Sequence, residues 1–185
     1  MRVLGLTLGL LGCARDPVQA VCPHVAVGDL AVTEIRGKQS PGDALGEWLE
    51  LANTSGQALD LEGVLVRIRQ KDGTNEADVI VRRSLPLAAG GYAVLGLFED
   101  TALPAYVDYG FAGDFRQSWL SAAAIDVDAC GTVIDRAQYD ALPTTGTYSL
   151  GGAPSADRND LPASWCTNPT AAGTPQQPNP VCAIP

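Results

Sequence analysis

The feature that most constrains this chain is a period-two apolar pattern cut into short lengths by glycine and proline. From Leu30 the segment "LAVTEI" is β-branched and alternating, and "EWLEL" puts Leu49 and Leu51 on one face with Trp48 and Glu50 on the other. "NTSGQ" supplies turn residues, after which Leu59 and Leu61 begin a return strand. In "LDLEGVLVRIRQ", Val64, Val66 and Ile68 alternate with Leu65, Arg67 and Arg69, the pattern of a half-buried strand. "LAAGGYAVLGLF" is a Gly-Gly turn leading into a strand, "SWLSAAAIDVDACGTVIDRAQYD" is two strands joined near residues 128–131, and "GTYSLGG" closes the series. Helical periodicity is almost absent, and turn signals recur roughly every 8–12 positions. The expectation is an all-β antiparallel sandwich or barrel. Residues 99–113 are expected as a long loop with one edge strand, and the Pro-rich run from Thr167 as an extended tail.

The amino terminus follows a different rule. Arg2 precedes an apolar run over residues 3–11, interrupted in polarity only by Thr7. Crossing a bilayer takes about 20 apolar residues, so this run is too short to span one and fits a secretory signal peptide. Its ending, Leu10-Leu11-Gly12-Cys13, resembles the lipobox of bacterial lipoproteins, in which the thiol becomes a thioether to diacylglycerol and the chain is cut just before it. That resemblance implies lipidation of Cys13, with residues 1–12 as signal peptide and 13–28 as a tether to the folded part. Ala14, in the place where Asp would retain a Gram-negative lipoprotein at the inner membrane, implies an outer-membrane destination. The partner expected at this end is therefore the membrane, through the acyl anchor.

Four cysteines remain: Cys22, Cys130, Cys166 and Cys182. An even number in an exported chain favours disulfides, and the absence of a CxxC pair argues against zinc. Of the three possible pairings, Cys22–Cys130 with Cys166–Cys182 is preferred, because the second bond would pin a tail with few apolar residues. The chain carries 12 basic and 21 acidic residues, a net charge of −9, which becomes −10 once Arg2 is removed. Such a balance repels nucleic acid and anionic lipid head groups. Arg67, Arg69, Lys71, Arg82 and Arg83 form one local exception, but Asp72, Glu76 and Asp78 are interleaved with them, so a solvated strand face is favoured over an anion site.

Read in order, the strands resemble the lamin-tail domain, an immunoglobulin-like antiparallel β-sandwich found in nuclear lamins and in secreted and lipid-anchored bacterial proteins. The matching segments are residues 30–35, 46–64, 85–96 and 130–140, and residues 161–179 are similar to the closing segment of bacterial members. The specific part is the block E-W-x-E-L-x-N at 47–53 followed by D-L-x-G at 60–63. Val64 stands where the family usually has Trp, so Trp119 or Tyr92 is expected to fill the space. The resemblance implies a domain over residues 29–166 closed by the tail 167–185, and it supplies no catalytic residues.

No motif carries chemistry strongly. The sole histidine, His24, lies in the expected tether, and neither a nucleophile elbow nor a phosphate loop is present. "DVDACG" offers Asp126 and Asp128 as weak calcium-loop candidates, but Cys130 and Ala137 occupy positions that need oxygen ligands. Glu34, Glu47, Glu50, Asp60 and Glu62 form a carboxylate set able to converge from neighbouring strands, and Asn53-Thr54-Ser55 fits a glycosylation sequon better read as a turn. The expected function is a lipid-anchored, non-catalytic cell-envelope sandwich with an adhesive, scaffolding or binding role toward a protein or polysaccharide, without cofactor. The competing readings are a hydrolase or hydrolase accessory domain (phosphodiesterase, nuclease or glycosidase), and a calcium-dependent polysaccharide-binding module.

Overall fold

The computed structural model describes residues 21–39, 43–114, 119 and 122–182; Cys13 and the expected signal peptide lie outside the described residues. The fold is all-β. The larger sheet runs in the order β12 (Trp165–Asn168), β11 (Thr147–Leu150), β1 (Leu30–Arg36), β2 (Trp48–Asn53), β7 (Tyr92–Gly96) and β8 (Tyr109–Gly110). Its neighbours are antiparallel except β7 with β8, the short edge strand inside the expected loop. The smaller sheet runs β10 (Thr132–Tyr139), β9 (Ala123–Ala129), β4 (Leu65–Arg69) and β5 (Ala77–Ile80), while β3 (Leu59–Asp60) pairs with β6 (Pro86–Leu87). One helical turn, α1 (Ala156–Asn159), precedes β12.

The inward residues meet as the alternation requires. Val32, Ile35, Leu49, Leu51 and Leu95 of the larger sheet share one core with Val66, Ile68, Val79, Ile125 and Val127 of the smaller. Each such fully buried side chain contributes about 1.5–3 kcal/mol relative to exposure. Leu61 and Val64 are buried in the same core, and Leu59 packs at its margin. Trp119 is buried in the same core and meets Phe111 edge-on at a centroid distance of 6.1 Å. The β9–β10 turn places Cys130 and Gly131 at φ of 52° and 82°, the left-handed pair that a two-residue hairpin requires.

Two features depart from the simple alternation. Every residue of β1 and β2 is buried, not every second one, because the outer face of the larger sheet is covered by two chain segments. Over one half, Phe98, Leu103, Tyr106 and Val107 pack on Trp48 and Val94. Over the other half lies the Pro-rich tail, which closes on the sheet through Thr174, Gln176 and Asn179. The second departure is at residues 21–28, expected within the tether. They are seated on the sandwich by the Cys22–Cys130 bond and by the Gly28 amide donating to the Ile134 carbonyl at 2.9 Å. Gly63, at φ 88°, lets the Val21 carbonyl approach where a Cβ would overlap it.

Candidate functional site

The most unusual chemistry lies on the outer face of the larger sheet. A β-bulge in β1 shifts the register after Val32, so that Glu34 falls directly opposite Glu50 of β2. Like charges in directly opposed positions are destabilising, and both side chains are fully buried. Glu34 accepts hydrogen bonds from the Thr147 hydroxyl, from the Ser149 hydroxyl at 2.8 Å, and from the Thr174 amide at 3.1 and 3.2 Å to its two oxygens. Glu50 accepts from the Thr33 hydroxyl and from the Gln176 amide, each at 2.7 Å. A third carboxylate, Asp108, accepts from the Gln176 side chain at 2.9 Å and from the Val94 amide at 2.8 Å.

All of these donors are neutral. Burial therefore dominates at Glu50 and pushes its carboxyl up to about 8; the bonds from Thr33 and Gln176 oppose this, and the nearby Glu34 and Asp108 add to it. The neutral form of Glu50 is accordingly favoured. At the end of β1 stands Arg36, whose Nε donates to the Ala171 carbonyl at 2.9 Å while its guanidinium also grips Asp43. That hydrogen bond holds the Asp43 carboxyl below its usual range.

Of the five acids proposed to converge, Glu34 and Glu50 do and three do not. Glu47 accepts from the Trp119 amide at 2.8 Å, and Asp60 from the Leu85 amide at 2.8 Å and the Ser84 hydroxyl at 2.6 Å; Glu62 is half-buried beside Asp60, its own amide donating to the Asp60 carboxylate. The E-W-x-E-L-x-N block thus acquires a physical meaning. Glu47 holds the segment at residue 119, Glu50 holds the tail, and Asn53 donates to the Gln57, Leu87 and Ala88 carbonyls while accepting from the Ser55 amide. The sequon asparagine is therefore engaged in an Asx turn with its amide buried.

Asp126 and Asp128 project together from the outer face of the smaller sheet. Asp126 is bound by Arg69 at 2.7 Å and by Arg136 directly opposite; Asp128 accepts from the Gly131 amide at 2.8 Å and lies 3.6 Å from Arg67. Burial alone would raise the Asp126 carboxyl, but the Arg136 and Arg69 guanidiniums outweigh it and leave the group below its ordinary value. The other members of the basic group at 67–83 are paired likewise: Lys71 with Asp140, Arg82 with Asp114, and Arg83 with Asp100. Among the described residues no group of three His, Cys, Asp or Glu is disposed to hold a metal ion.

The four cysteines form Cys22–Cys130 and Cys166–Cys182, with Cα separations of 5.5 and 5.7 Å. His24 is exposed and lines an open hollow of about 530 Å³ with Pro23, Asp29, Ser55, Gln57 and Leu59. Residues that the sequence did not single out are Asp108, Thr174, Gln176 and Asn159. Two of them act through backbone amides, which leave no trace in side-chain chemistry. Asn159 donates to Asp135 at 2.8 Å, which also accepts from the Val32 amide at 2.7 Å and ties β10 to β1. Burial raises the Asp135 carboxyl to about 6. No protein-family model matches the chain, and no curated protein matches it.

Proposed function

We propose that this chain is a lipid-anchored, non-catalytic β-sandwich of the immunoglobulin-like, lamin-tail type, working in the cell envelope as an adhesive, scaffolding or binding module. The observation that carries this reading is how the acidic side chains are used. Glu34, Glu47, Glu50 and Asp60 each hold a neighbouring segment in place, and Asp126 is taken up by two arginines. Side chains occupied in this way favour recognition through loops and open strand edges over chemistry in a cleft. Two disulfides are the mark of a chain that matures in an oxidising, exported environment. Among the described residues no helix is long and apolar enough to cross a membrane. Attachment is assigned to Cys13 on the lipobox resemblance of residues 10–13, with the outer membrane as destination and the periplasm or cell surface as the place of work.

The partner is a protein or a polysaccharide, met at the loops around the His24 hollow or along the edge strands β5 and β10. Cys13→Ser tests the anchor: the protein should move from the membrane to the soluble fraction and lose incorporation of labelled palmitate. Unchanged labelling and fractionation would refute the lipid anchor.

A further inference from the structure

Residues 170–180 cross the outer face of the larger sheet, and we propose that they form a proton-gated strap. It is closed while Glu50 keeps its proton, lifts when Glu50 ionises beside Glu34, and is returned by the Cys166–Cys182 bond that keeps its far end on the sheet.

The geometry of attachment carries this. The strap sets the Thr174 amide on Glu34, the Gln176 amide on Glu50 and the Gln176 side chain on Asp108. Asn179 adds a bond to the Thr33 carbonyl at 2.8 Å, and Arg36 holds the Ala171 carbonyl from the other side. The seat is tight: at Gly173, with φ 67°, a Cβ would come within 2.6 Å of Thr147 Cγ2 and 2.7 Å of Glu34 Oε1. Gln176 reaches Glu50 from a left-handed conformation with φ 62°, uncommon for a residue with a side chain. The sequence "TAAGTPQQPNP" offers alanine and proline but no large apolar side chain. The closed state therefore depends mainly on hydrogen bonds to carboxylates.

The groups that face Glu50 explain the gate. β1 brings Glu34 and, at its end, Arg36, whose guanidinium is already shared with Asp43. β7 brings the Tyr92 phenol, the approach to β8 brings Asp108, and β11 and the strap bring only hydroxyls and amides. With three carboxyl groups under one cover and Arg36 already shared with Asp43, ionisation of Glu50 is relieved by lifting the cover and admitting water. Burial as the main cause of the raised Glu50 carboxyl agrees with this, since burial is what opening removes. The uncovered ledge consists of Glu34, Glu50, Thr33, Thr147 and Ser149.

Amide exchange by NMR on the intact disulfide-bonded protein tests the gate. After correction for intrinsic rates, protection at Thr174 and Gln176 should fall about tenfold per pH unit while Glu50 titrates between its open and closed states, then level off. The Leu51 and Val127 amides should keep their protection, and the Glu50 carboxyl carbon shift should titrate in the same range. Glu50→Gln should make strap protection independent of pH. A flat profile in the wild type, a Glu50 carboxyl that titrates as an ordinary glutamate, or an unchanged slope in Glu50→Gln would each overturn the proposal. The two wild-type measurements decide the matter even if the variant does not fold.

Discussion

The two outer faces of this sandwich bury aspartate and glutamate in opposite ways. On the smaller sheet, Asp126 is 2% exposed and is held by two guanidiniums, so its carboxyl lies below the ordinary range. On the larger sheet, Glu50 is fully buried and lies deeper, it meets only hydroxyl and amide donors, and its carboxyl rises to about 8. The difference teaches that the charge of a covered carboxylate follows from the depth of its burial set against the charge of its partners. A further contrast lies within the larger sheet. Trp48 and Val94 are roofed by apolar side chains, whereas Glu34 and Glu50, on the same face, are roofed by backbone amides.

The largest expected effect breaks the apolar half alone. Trp48→Ala removes a fully buried ring and should destabilise the fold by about 3–5 kcal/mol in denaturant unfolding, while leaving the strap amides protected. A loss below about 1 kcal/mol would mean that the ring is not packed.

The next effect sharpens the contrast between the two faces. For Glu50, whose folded value exceeds its unfolded one, the stability contribution is complete below about 4.5 and is lost as the pH rises through about 8. For Asp126 the sign is reversed: its contribution is present above 3.8 and is lost as the pH falls through the lowered folded value. Relative to wild type, Glu50→Gln should therefore gain on the order of 1 kcal/mol per pH unit between about pH 5 and pH 8. The disadvantage of Asp126→Asn should instead shrink in acid. Thermal melts of the three proteins across this range measure both, and parallel pH profiles would remove the contrast.

The smallest effect concerns the seat of the strap. Gly173→Ala demands a left-handed backbone with a Cβ pressed against Thr147 and Glu34, so it should cost about 1–2 kcal/mol. Exchange protection at Thr174 should fall while the near-ultraviolet circular dichroism of the core persists. Wild-type protection in this variant would show that the strap accommodates a methyl group.

Much of the architecture was legible because it rests on local patterns. The alternation around Leu49 and Leu51 located β2, and the Cys130-Gly131 tip located the β9–β10 hairpin. The pairing of the cysteines also followed the sequence expectation. The site was much less legible. An acid at every second position looks the same whether it binds calcium or arginine, and the choice depends on register: Arg136 stands opposite Asp126 across one strand pair, and Arg69 reaches it diagonally across another. The meeting of Glu34 with Glu50 depends on a bulge that no alternation pattern announces. The tail lacked the apolar stripe by which a buried segment is recognised, because it is held through its main chain.

Cys166 and Cys182 are 16 positions apart, so their bond encloses the strap in a covalent ring. A protease that nicks this ring once leaves both new ends attached to the same molecule. The cleaved protein would migrate as one species until a reductant separated it into two, and a wound there would stay hidden from any assay run under oxidising conditions.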